Sequence, residues 1–252
     1  MVEKVDPVGD EFYKPLLRAD RAAAWLFYIS AALSVVALWI QRAAHPPAYQ
    51  IVQVSFALSV VALFSVGLAI RLYFFPRAQQ RRYQDFLAHA FDQALSHKQT
   101  VAYYNNSSAL GAPRVAAQVL ESSFFTKDIL ARMVATERVK VVLYAAIWLI
   151  MVLYRETDLA LIGVAAQILF SEQILSRWLR LEWFRWQSER VYEDVFRLLQ
   201  SKADLSVTAW DALCRNEIVK ATSCISLSAS IFERETQRLN REWDEVRRTL
   251  SI

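Results

Sequence analysis

Glycine is nearly missing from this chain, with four in 252 residues. So small a supply excludes a glycine-rich phosphate cradle. Six prolines are equally few, and together these counts argue against a β-rich or disordered protein. The two cysteines, Cys214 and Cys224, have no metal-ligand spacing and read as small buried residues kept reduced. No HExxH, GxSxG or paired-cysteine zinc pattern occurs, so no catalytic residue, metal or cofactor is expected. Asp85, His89 and Asp92 share one helical face, with His97 beyond them; they read as a solvated face rather than a metal site. The first twenty residues are polar and mixed in charge, so no cleavable signal peptide is expected. The net charge of +4 is compatible with an anionic ligand or membrane surface and does not demand nucleic acid.

What the chain has instead is long apolar runs. Residues 22–40 carry no charge and rise about 28 Å as a helix, near the thickness of a bilayer's hydrocarbon core. Trp25, Tyr28 and Trp39 lie toward its ends, as interfacial aromatics do. Residues 51–70 form a second run, closed by Arg71 and Arg77. A third, 139–154, starts beside Lys140, and a fourth covers 159–175. Short turns at 41–50 and 155–158 join them pairwise. The fold class expected is an all-α integral membrane protein, with four transmembrane helices as two hairpins plus a cytoplasmic helical bundle. Its divisions are a leader 1–21, hairpins 22–75 and 139–175, a helical insert 76–138 and a helical tail 176–252.

Charge sets the expected orientation. Each short turn has one cation, Arg42 or Arg155, whereas the insert from Arg77 to Arg138 has eight. Arg177, Arg180, Arg185 and Arg190 follow the last run, interleaved with Trp178, Trp183 and Trp186. By the positive-inside rule both termini and the insert face the cytoplasm of a multi-pass inner-membrane protein.

Polar positions inside the runs are the candidates for function. Ala160, Gly163, Gln167 and Ser171 fall on one face of the fourth run, and Glu172 follows. Such a row permits close helix packing. It also suits a water path lined by Gly163, Gln167, Ser171 and Glu172, in which a ring of carboxylates favours cations. A third possibility is Glu172 reaching the interface with Arg177 as partner.

Two stretches outside the runs stand out. Residues 103–113, YYNNSSALGAP, are the strongest loop signal in the chain. Tyr103 and Tyr104 can stack on a base, Asn105 and Asn106 can hydrogen-bond to it, and Arg114 and Lys127 add cations. The plainer alternative is a tight turn that asparagine tolerates. In the insert, a helix end or kink is expected around Ser122–Thr126, with Thr126 and Asp128 capping the helix that continues toward the membrane. In the tail, Ser206 or Thr208 can cap one long helix reaching Leu250. Along it Ile218, Ile225, Phe232, Leu239 and Val246 recur every seven residues. This stripe packs either within the subunit or between subunits of a homo-oligomer.

The stretches FDQALSHKQTVAYYNN (91–106) and LESSFFTKDILARM (120–133) lie between the hairpins. In that layout the chain resembles the multi-span SMODS- and SLOG-associating effectors of bacterial antiphage defence. The resemblance implies a partner nucleotidyltransferase, a nucleotide or oligonucleotide signal, and membrane permeabilisation that kills or arrests an infected cell. The function expected is an oligomeric pore gated from the cytoplasm. The rival is a non-conducting scaffold that recruits a soluble partner through its cytoplasmic helices.

Overall fold

The structure is a computed structural model that describes residues 5–40, 45–95, 97–98, 100–101, 103–154, 156–201 and 204–252. Arg42 and Arg155, the cations of the two short turns, lie outside the described residues. Those described form eight α-helices and no strand, only an isolated antiparallel bridge between Val5 and Val101.

Helix α1 (Lys14–Trp39) follows a π-helical turn, Gly9–Tyr13, so the expected polar leader is largely helical. Helix α2 (Pro46–Ala69) begins with two prolines where a missing N–H costs nothing. It runs through a second π-helical turn, Ile70–Phe74, into α3 (Phe75–Phe91). Each of these π turns ends two residues before a proline, Pro15 or Pro76. A proline ring clashes with the carbonyl four residues back. That carbonyl belongs to Glu11 or Leu72, inside the wider turn, which explains how both helices continue through a proline.

Asp92 (φ 54) ends α3, so His97 lies outside the helix that carries Asp85 and His89. Gly111 (φ 87) precedes α4 (Ala112–Leu153). The helix end expected at Ser122–Thr126 does not occur: α4 runs through it, and Ser123 Oγ donates to the Leu120 carbonyl of the same helix, 3.0 Å away. Helix α5 (Leu159–Leu169) is capped by Asp158, which accepts from the Ala160 N–H at 2.8 Å. The fourth apolar run is not one α-helix. Ser171 is extended (ψ 163), and a third π turn, Glu172–Ser176, leads into α6 (Arg177–Ser201).

The tail also differs from one long helix. Helix α7 (Thr208–Ser223) stops at Cys224, whose φ of 48 lies in the left-handed region. Ser228 then caps α8 (Ala229–Leu250) by accepting from the Ile231 N–H at 3.4 Å. Ser206 and Thr208 do not cap α7; they bond to Asp204 instead.

Among the described residues, three helical stretches are long and apolar enough to cross a membrane: Gly9–Trp39, Pro46–Phe91 and Leu159–Ser201. Residues 139–154 are not among them. Glu137, Arg138 and Lys140 crowd the start of that segment, and the uncharged part, 141–153, is only about 20 Å long.

The chain divides into two compact units. The first comprises 1–14, 75–134 and 180–252, the second 15–74 and 135–179. In the first, Phe86, Leu120, Leu130, Leu181, Leu213, Leu239 and Trp243 share one apolar core. In the second, Phe27, Val141, Leu169 and Ile174 form a smaller cluster, with Trp148 and Trp178 against it.

Candidate functional site

Two constellations carry the chemistry, one in each unit. In the second unit, Ser30 and Ser59 are buried and their hydroxyls meet at 2.8 Å, joining α1 to α2. Each hydroxyl also lies 2.8 Å from a carbonyl of its own helix, Ser30 Oγ from Leu26 O and Ser59 Oγ from Phe56 O, so that one serine donates to the other and the second donates to its carbonyl. Neither of these two hydroxyls is left unmatched in an apolar setting, where that costs most.

Glu172 forms an ion pair with Arg71. Both residues belong to π-helical turns, and their side chains are 45% and 50% exposed. The expected partner, Arg177, instead approaches Glu137 at 3.7 Å, beside the 2.9 Å pair between Glu137 and Lys140. Glu172 is therefore not a bare carboxylate.

The structure does not bring all four proposed pore residues into one row. Gly163 and Gln167 lie on the exposed side of α5, and nothing among the described residues fills the space where a Gly163 side chain would stand. The break at Ser171 takes that residue and Glu172 off the row. Ser171 Oγ is buried with no hydrogen-bond partner among the described residues.

The first unit is organised around Arg82. Its Nη2 donates to Asp6 Oδ2 at 2.8 Å, and its guanidinium lies 4.3 Å from the Tyr103 ring centre and 5.4 Å from that of Tyr13. Asp6 also accepts from the Gly9 N–H at 2.9 Å, which ties down the entry to the first π turn. Asp85, 1% exposed, accepts from Thr100 through both oxygens, at 2.9 and 2.8 Å, and from the Thr100 N–H at 3.2 Å. His89 Nε2 meets the same hydroxyl at 2.7 Å. The face expected to be solvated is thus buried at Asp85 and satisfied by a loop threonine.

The 103–106 loop packs inward on this network. Tyr104 meets the edges of Tyr103, Phe86 and His89. Burial pushes the Tyr103 and Tyr104 hydroxyls above the ordinary tyrosine range, although Arg82 pulls both the other way. The Asn105 N–H donates to both Glu121 oxygens at 3.0 Å, and its carbonyl accepts from Trp243 Nε1 at 3.4 Å. Asn106 Oδ1 is buried without a partner among the described residues. Arg114 bonds to the Ser108 and His89 carbonyls, at 2.9 and 3.4 Å, and braces the loop's far end. Lys127 lies 4.0 Å from the Tyr192 ring centre. The two tyrosines are therefore together, and the two cations are engaged elsewhere.

Of the five stripe residues, Ile225 and Leu239 are buried in the core of the first unit and Phe232 and Val246 pack against it. Ile218 is 63% exposed.

Sequence reasoning missed Arg82, Asp6 and Thr100, and with them the role of Arg71. Only Arg71 left a trace, as a cation closing an apolar run. Comparison with protein-family models, curated proteins and solved structures finds no match, so function is argued from these residues alone.

Proposed function

We propose that the chain is an oligomeric membrane pore or ion-channel effector of bacterial antiphage defence. In this reading it has four spans, with the third at 139–154, and a cytoplasmic helical bundle holding both termini. A nucleotide or oligonucleotide made by a partner nucleotidyltransferase gates it, and it acts by permeabilising the inner membrane. The observation that carries the reading is the open face of α5. Gly163 and Gln167 lie exposed on an apolar helix, with nothing beside Gly163 among the described residues. An amide facing hydrocarbon is costly, so Gln167 calls for water or a second copy of the chain. Ligand would enter at Tyr103, Tyr104, Asn105 and Asn106, with Arg114 and Lys127, once the loop turns outward.

Liposomes carrying the purified full chain test this. They should release a trapped ion when the cyclic or linear oligonucleotide products of a nucleotidyltransferase are added, and Gln167→Leu should change the rate. Tight liposomes under every condition would sink the reading.

A second reading is favoured by the Arg71–Glu172 pair, which neutralises the carboxylate of the proposed path. Here the protein is a non-conducting scaffold that recruits a soluble partner through its cytoplasmic helices. It predicts capture of the nucleotidyltransferase by full-length protein in nanodiscs, with no leak.

A further inference from the structure

Helix α3 carries two arginines one turn apart, Arg77 and Arg81. Both guanidinium carbons face the Phe12 ring, 5.9 and 5.6 Å from its centre. Beside them opens a hollow of about 170 Å³, lined by Phe12, Arg77, Gln80, Arg81 and Gln84. No carboxylate lines it among the described residues. The acids of the neighbouring turn are held by other cations: Asp6 by Arg82, Asp10 by Lys14 and Glu11 by Lys98. Arg81 donates to a neutral acceptor, Gln84 Oε1, at 3.1 Å, and no carboxylate pairs with it among the described residues.

The charge of Arg81 meets only a neutral amide beside this hollow, and Arg77 places a second guanidinium on the same wall. The arginine fork matches tetrahedral oxyanions by paired N–H bonds. Gln80 and Gln84, one turn apart, add amide donors, and Phe12 offers an apolar wall for an ester carbon. The volume falls below the roughly 300–1,000 Å³ of sites that enclose a whole drug-sized ligand. The hollow suits a small anionic head whose remainder stays outside.

We propose that this hollow binds the phosphate group of an anionic phosphate ester. Two sources share that chemistry. One is a phospholipid headgroup: Arg77 and Arg81 follow the apolar run 51–70 by seven and eleven residues, where juxtamembrane cations meet anionic lipid. The other is a soluble nucleotide. The site is independent of whether the protein conducts.

The test uses full-length protein in detergent. Native mass spectrometry counts retained phosphatidylglycerol against phosphatidylcholine, and equilibrium dialysis measures ATP. Retention of phosphatidylglycerol alone assigns the lipid source, and ATP binding assigns the soluble one. In whichever arm binds, Arg81→Gln should weaken binding about tenfold, the loss of one charge-assisted contact. Arg81→Lys should fall between, because it keeps the charge and loses the fork. Arg197→Gln removes a cation paired with Glu193 and should leave binding unchanged. The proposal is overturned if neither phosphatidylglycerol nor ATP is held above phosphatidylcholine. Equal weakening by Arg81→Gln and Arg197→Gln, the mark of a net-charge effect alone, overturns it too.

Discussion

Arg71 and Glu172 each make the other tolerable near an apolar run. A half-exposed ion pair in water contributes little, about 0–1 kcal/mol, and a lower-dielectric surround raises that figure. Losing one partner is worse than losing both, since the remaining charge then stands alone. Glu172→Gln should therefore destabilise detergent-solubilised protein more than Arg71→Gln combined with Glu172→Gln, and thermal unfolding by circular dichroism checks the order. The buried tyrosines give a pH prediction. Tyr103 and Tyr104 have native pKa values above the ordinary 10.0, so above pH 10 the unfolded chain releases these protons first. Stability is then lost as pH rises, by up to about 1.4 kcal/mol per pH unit for each tyrosine. Tyr103→Phe should flatten the alkaline fall in melting temperature, while Tyr154→Phe, at an exposed site, should not. Sequence spacing placed Asp85 and His89 on one helical face, as the structure does. It could not show that Thr100, fifteen residues on, turns the face inward, because a loop partner leaves no periodic signal.

Helices were legible where hydropathy and caps agreed and obscure where a single φ angle decided. The stripe from Ile218 to Val246 keeps its seven-residue period across Cys224, yet the chain turns there into the left-handed region. No glycine or proline marks the spot; only the serines at 226, 228 and 230 hint at a new cap. A non-glycine residue in that region costs about 1–2 kcal/mol. Cys224→Gly should accordingly raise the unfolding midpoint by a few degrees, with Cys224→Ala as the comparison that keeps the strain. The opposite error arose in α4, where the polar cluster at 122–126 resembles a break. Ser123 bonds to its own helix and Thr126 is buried, so polarity there marks packing rather than an end. The π turns before Pro15 and Pro76 show the same limit. A proline in a helical pattern reads as a stop, but a widened turn carries the helix on.

The apolar runs are the most legible feature of the whole chain, and three of them belong to helical stretches of membrane length. The third expected run was less so, because a hydropathy window there takes in the charges at 137, 138 and 140. The second unit draws on 15–74 together with 135–179, and the tertiary neighbours of loop 103–106 had no counterpart in local sequence. The proposed orientation has a direct check. Cys214, expected from the sequence to be buried, is an exposed free thiol in the tail. A membrane-impermeant maleimide should label it in inside-out vesicles and spare it in right-side-out ones, and the reverse pattern would invert the topology.

Gly163 offers an unusually clean reporter. Beyond its own helix, alanine there meets no atom within 4 Å among the described residues, and in a helix interior it is favoured over glycine by about 0.8–1.0 kcal/mol. A single subunit should gain from the change. Any loss of function in Gly163→Ala or Gly163→Leu is then a message from outside the chain, from a second subunit or from the lipid. A panel of graded side chains at this one position would gauge, methyl by methyl, how closely that neighbour approaches.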